Sequence, residues 1–262
     1  MTAPLVTMET DARGVVRLTL NRPEKHNVLS GEVCDLLKGL VDALDADPGV
    51  RVVVLTGAGA SFCAGGDLAW MRVQVAGTAG ERRTEARRLA YMLQALNTLD
   101  KPLIGRVNGA AYGGGVGLAS VCDTVVAAAD ARFGLTEARL GLIPATISPY
   151  VIARMGEGPA RSVFFSGRIF GAEEARHLRL VNRIASREAL DDAVEAEIAP
   201  YLATSPAAVA ASKRLARSLG PRIDESVIEA TIDALVATWE TPDAAAGIAA
   251  FLEKRPAPWI RG

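Results

Sequence analysis

Two periods of apolar spacing divide this chain into parts. Val15 to Leu20 is rich in apolar residues and reads as a strand, stopped by Asn21-Arg22-Pro23. Ser30 can cap a helix running to about Asp45, with Val33, Leu36, Leu37, Leu40, Val41 and Leu44 at helical spacing. Val50 to Thr56 is a β-branched run of the kind found in a sheet buried on both faces. The alternation repeats with a strand at 102–107, a buried helix after Gly115 and a strand from Asp123 to Ala128. This order argues for an α/β core built of right-handed crossovers. After about Ala172 the strand signal nearly vanishes, and only Leu180 to Ile184 interrupts helices expected near 172–179, 186–203, 206–218, 222–238 and 241–253. The plan is an α/β core over 1–195 and a helical region over 196–262.

The stretch 72–88 breaks the pattern. It holds Gly77, Gly80 and Arg72, Arg82, Arg83, Arg87 and Arg88, with little apolar periodicity before Leu89. It reads first as a solvated loop and helix start, and alternatively as a lid whose arginines meet a phosphorylated ligand. Half of the 262 residues are apolar and the formal net charge is -1, which points away from a nucleic-acid partner or a disordered chain. Cys34, Cys63 and Cys122 have no paired spacing and read as reduced thiols. No uncharged run approaches the ~20 residues needed to cross a bilayer, and no signal peptide is evident at the N-terminus. A soluble cytoplasmic protein is expected, with neither a membrane nor a nucleic acid as partner.

The chemistry concentrates at two glycine-rich turns between strand and helix, Phe62-Cys63-Ala64-Gly65-Gly66-Asp67 and Tyr112-Gly113-Gly114-Gly115. Each strips side chains from a place where free N–H groups and a helix dipole meet. Two such turns suggest two converging donors for a developing oxyanion. Gly57-Ala58-Gly59-Ala60-Ser61-Phe62 imitates a dinucleotide fingerprint but lacks its third glycine, so that site is rejected. His26 and His177, the only histidines, read as surface or packing residues, and neither a His-based triad nor a metal site is expected. Carboxylates remain as proton carriers. Glu137 lies in an apolar stretch where burial would raise its pKa, although Arg132 and Arg139 would also suit it to an ordinary ion pair. Asp67 reads as a cap or turn carboxylate.

Phe62-Cys63-Ala64-Gly65-Gly66-Asp67-Leu68, the Gly113–Gly115 turn ending in Cys122-Asp123, and Phe133-Gly134-Leu135-Thr136-Glu137 with Leu140-Gly141-Leu142-Ile143-Pro144 resemble the successive signatures of the crotonase (enoyl-CoA hydratase/isomerase) superfamily. Asn21 to Leu29, Phe165-Ser166-Gly167-Arg168 and Ala172-Glu173-Glu174-Ala175 are similar to its first and later motifs, so the resemblance spans the chain. It implies a spiral of β-β-α units, a helical C-terminal trimerisation region forming a homotrimer or dimer of trimers, and an acyl-CoA ligand with no separate cofactor. It further implies an oxyanion hole from the Ala64 and Gly114 N–H groups and catalysis by Glu137. Substrate would meet Asp67 in the first glycine turn. Lys25 would meet the CoA nucleotide, as would Phe251 and Lys254 from a neighbouring subunit.

One departure stands out: Gly117 occupies the position where classical hydratases of this superfamily place a second glutamate. Ala145 stands where dienoyl-CoA isomerases keep an aspartate. Leu142 to Tyr150 is similar to methylglutaconyl-CoA hydratase-like members, whose carboxylated substrate would use the space at Gly117 and meet Ser148 or Tyr150. The expected activity is hydration of a 2-enoyl-CoA, including a branched methylglutaconyl-type one. The alternatives are 3-enoyl to 2-enoyl isomerisation and a non-catalytic acyl-CoA binder.

Overall fold

The computed structural model describes residues 3–260. At its start β1 (Val6–Thr10) pairs antiparallel with β2 (Val15–Leu20), whose Val16, Leu18 and Leu20 face the core at period two. The Ser30 hydroxyl accepts from the Val33 N–H to open α1 (Gly31–Ala46). Three units then follow in which two strands precede a helical segment. The first is β3 (Val52–Gly57), β4 (Ser61–Cys63), α2 (Leu68–Ala76) and α3 (Ala79–Thr98). The second is β5 (Leu103–Val107), β6 (Ala110–Tyr112) and α4 (Gly114–Val121). The third is β7 (Thr124–Ala128), β8 (Arg132–Gly134) and a 3₁₀ turn at Glu137–Leu140.

In each unit the first strand joins a six-stranded sheet and the second a four-stranded one. After α5 (Ser148–Met155) and α6 (Glu157–Phe164), β9 (Ile169–Gly171) closes the smaller sheet, which has the order β4-β6-β8-β9. Beyond α7 (Ala172–His177), β10 (Arg183–Ala185) completes the larger one, β1-β2-β3-β5-β7-β10. The chain thus advances as a spiral of β-β-α units, with parallel pairing through β2-β3-β5-β7-β10 and through β4-β6-β8. All six residues of β3 are buried, as a strand covered on both faces requires.

The remaining helices are α8 (Leu190–Leu202), α9 (Pro206–Leu219), α10 (Glu225–Trp239) and α11 (Pro242–Leu252). The division expected at residue 195 falls inside α8, whose Val194 and Ile198 both belong to the main core. Ile228, Ile232 and Val236 of α10 pack on Ala86 and Ala90 of α3. Trp239 and Ile248 pack on Met71 and Leu142. The helical region therefore folds back on its own core. By contrast α9 buries none of its residues, and Leu215 and Leu219 are 60% and 80% exposed.

Two local readings are corrected, and one strand, β1, was not read at all. Stretch 72–88 does start a helix, as expected, but its loop shrinks to Gly77 and Thr78 between α2 and α3, where Thr78 and Glu81 form a reciprocal capping box. Three of its arginines are paired within the fold: Arg87 holds Glu229 at 2.8 Å, Arg83 pairs with Asp233, and Arg88 lies 3.5 Å from Asp35. Leu36 faces outward, one position off the apolar stripe of α1. β1 gives little sequence signal because it is an edge strand with one buried residue, Val6.

Candidate active site

The two glycine turns meet. Gly65 (φ +91) lies against the Tyr112 carbonyl, where a Cβ would come within 3.0 Å, and a Cβ on Gly115 would sit 2.2 Å from the Cys63 carbonyl. Only side-chain-free backbone lets the turns approach this closely. Parallel pairing of β4 with β6 brings them together, and pairing of β6 with β8 places Glu137 beside them. Gly113, at φ +49, is the point of contact: a Cβ there would stand 2.8 Å from Glu137 Oε1.

Accounting for the amides identifies the donors. The Ala64 N–H donates to the His26 carbonyl at 3.0 Å, Gly65 N–H to the Cys63 sulfur, and Asp67 N–H to the Leu29 carbonyl at 3.0 Å. Among these four described amides Gly66 alone has no acceptor. Gly114, as the first residue of α4, has no carbonyl one turn back to accept its N–H. Both glycines line one cavity of about 200 Å³. The amide expected at Ala64 is therefore committed to the fold, and Gly66 takes its place beside Gly114. The His26 carbonyl is fixed by two left-handed residues, His26 and Asn27, and by the buried Asn27 amide, which donates to the Ala58 and Ser61 carbonyls.

Glu137 opens onto the same cavity. Its Oε2 is buried without a hydrogen-bond partner, and burial pushes the carboxyl up to about 7. No ion pair involves it among the described residues, and Arg132 and Arg139 are exposed, so the ion-pair alternative falls. A carboxyl near neutrality, facing two unsatisfied N–H groups, can move a proton next to a carbonyl whose oxygen those groups hold.

Position 117 offers no vacant space. Gly117 is buried in α4, and a Cβ there would lie 2.6 Å from Ile147 Cγ2, so the Ile147 side chain fills the volume. Ser148 and Tyr150 are not brought to the cavity. The Ser148 hydroxyl donates to the Ala145 carbonyl at the start of α5, and the fully buried Tyr150 hydroxyl donates to Gln94 Oε1 at 3.1 Å. Asp67 is buried against Arg22, with 3.1 Å between Oδ2 and Nη2, and does not line the cavity. Lys25 and Lys254 are exposed outside it. Phe251 does line it, from this same chain rather than from a neighbour. Trp70, Met71, Glu85, Leu235 and Trp239 complete the wall and were not anticipated. Their spacing is that of ordinary core residues, and only the packing of the tail onto α2 and α3 gathers them. Glu85 and Glu137 are the charged side chains of the lining, which contains no lysine, arginine or histidine.

Comparison with known proteins gives a consistent picture. A sequence profile described as enoyl-CoA hydratase/isomerase matches residues 10–261. The chain is 35% identical over 247 residues to crotonyl-CoA hydratase of Syntrophomonas wolfei, covering 93% of each. It is 33% identical over 261 residues to mitochondrial methylglutaconyl-CoA hydratase of Mus musculus, covering 95% of this chain and 80% of that one. With 1,2-epoxyphenylacetyl-CoA isomerase of Escherichia coli it shares 32% identity over 246 residues, covering 93% and 94%. The crystal structure of an enoyl-CoA hydratase from Mycobacterium avium superposes with a TM-score of 0.85 at 31% identity, over 99% of this chain and 100% of that one.

Proposed function

This chain belongs to the enoyl-CoA hydratase/isomerase family, and on that basis we propose that it moves the double bond of a 3-enoyl-CoA to the 2-position, with Glu137 as the one proton carrier. The thioester carbonyl oxygen accepts from the Gly66 and Gly114 N–H groups. Ionised Glu137 takes a proton from C2, the electron pair delocalises into a dienolate held by those donors, and the same carboxyl returns the proton to C4. One carboxyl suffices, because it ends the cycle as it began. The observation that carries this reading is Ile147 filling the space at Gly117, so that no second carboxylate stands opposite Glu137, whose Oε1 lies against Gly113.

The test supplies 3-hexenoyl-CoA and crotonyl-CoA to the purified protein and follows conjugation and water addition separately. Conjugation of the first without hydration of the second is expected. Hydration of crotonyl-CoA without migration of the 3-enoyl bond would overturn the reading. Hydration is the second reading, favoured by the activities named for the Syntrophomonas and mouse relatives. It requires water to be held by a group other than residue 117. A methylglutaconyl-type acyl group is disfavoured in either case, since its carboxylate would face Glu85 and Glu137 with no cation in the lining. Binding of CoA esters with no turnover of either kind would instead mark an acyl-CoA binder.

The nucleotide of CoA is assigned to the exposed Lys25 and Lys254. Lys25 adjoins His26, whose carbonyl holds the first glycine turn. A homotrimer, or a dimer of trimers, accounts for the uncovered apolar residues of α9. Light scattering at micromolar concentration checks this, and a monomer mass would refute it.

A further inference from the structure

We propose that Trp70 and Glu85 form a latch that closes the acyl chamber toward an outer groove and so sets the length of acyl chain the site accepts; this rests on the acyl-CoA reading. Trp70, Glu85 and Gly31 line both the reaction cavity and an open groove of about 890 Å³ along α2 and α3. The same three residues are thus the partition between the two spaces. Trp70 Nε1 donates to Glu85 Oε2 at 2.9 Å. The other carboxylate oxygen, Oε1, meets Arg88 Nη1 at 3.2 Å, and Arg88 reaches Asp35 of α1 at 3.5 Å.

Glycine at 31 makes room for this chain of contacts. A Cβ there would stand 2.5 Å from Arg88 Nη1 and 2.8 Å from Glu85 Oε2. An indole held at its nitrogen by a carboxylate, itself held by a guanidinium, presents a rigid face rather than a yielding one. Trp70 lies in the first turn of α2, and its ring comes within 3.8 Å of where a Gly66 Cβ would stand. The partition therefore begins beside the thioester donor, and an acyl chain that outgrows the chamber on this side reaches the outer groove only by displacing it. Rigid apolar walls discriminate single methylenes by roughly tenfold or more.

The test is calorimetric binding of butyryl-, octanoyl- and dodecanoyl-CoA, which does not depend on the reaction catalysed. In the wild-type protein, affinity is expected to fall between octanoyl- and dodecanoyl-CoA. Trp70→Ala is expected to raise the dodecanoyl-to-butyryl affinity ratio by about tenfold or more. Glu85→Ala, which frees the indole, and Trp70→Phe, which keeps a ring but loses the donor, are expected to raise it by about threefold. Trp70→Phe also covers the case in which the alanine variant does not fold. A ratio within twofold of wild type in all folded variants would overturn the latch while leaving the acyl-CoA reading intact. Failure of the wild-type protein to bind any of the three esters would overturn both.

Discussion

Burial moves the Glu137 carboxyl from 4.5 to about 7, and this shift leaves two pH signatures of opposite sign. The reaction needs the ionised form, so kcat/KM should rise with pH and level off above about 7. The fold prefers the protonated form. Between 4.5 and about 7 the folded chain holds a proton that the unfolded chain has lost, so stability falls as pH rises through this window. The loss amounts to about 3 kcal/mol at 1.36 kcal/mol per unit. Urea melts at pH 5 and pH 8 should show this loss in the wild-type protein and not in Glu137→Gln. The same variant should lose roughly 10²–10⁴-fold in turnover. Gly117→Glu makes a second residue-scale test. With Ile147 Cγ2 2.6 Å from the new Cβ, the single substitution should lower Tm, by overpacking worth about 1–3 kcal/mol. Gly117→Glu with Ile147→Ala should recover much of that loss, and the double variant is the one in which crotonyl-CoA hydration should be sought.

At the scale of elements, legibility in the sequence followed apolar content. β2, β3, β5 and β7 carry largely apolar runs buried in the larger sheet, and α1 carries a clear cap and stripe, so each was readable within about two residues. The strands of the smaller sheet are three residues long, and period-two alternation has no length there in which to show. β4 and β6 were legible only as the strand ends of the two glycine turns, and β8 and β9 were not read as strands at all. Glu137 was visible because a carboxylate in an apolar run is unusual. The donor at Gly66 lies two residues beyond the expected Ala64, because which amide is left over depends on where the His26 carbonyl falls. The contact between the turns gives the prediction at this scale. Gly115→Ala places a Cβ 2.2 Å from the Cys63 carbonyl and should push α4 away from the first turn. Turnover should fall more steeply than CoA-ester affinity, since alignment of the two donors matters most in the transition state. Steady-state kinetics beside calorimetry on the variant checks this.

For the whole molecule, the tail is both cover and wall. Trp239 is buried between Met71 and Ile248 and also lines the cavity. Trp239→Ala should cost about 3 kcal/mol or more, read in urea melts, and weaken CoA-ester binding in the same protein. None of this was readable from the tail's own pattern, which shows helices but not what they cover. The placement of Leu235, Trp239 and Phe251 has a consequence for the chain while it is being made. Every strand of both sheets has been synthesised by Ala185, some 50 residues before Leu235. At ~5–20 residues per second, the ribosome exposes a sheet core with both glycine turns for several seconds before the segment that closes the pocket exists. Through that interval the nascent protein holds its donors and its base in a site open to water, and the pocket closes only once α10 and α11 have been made.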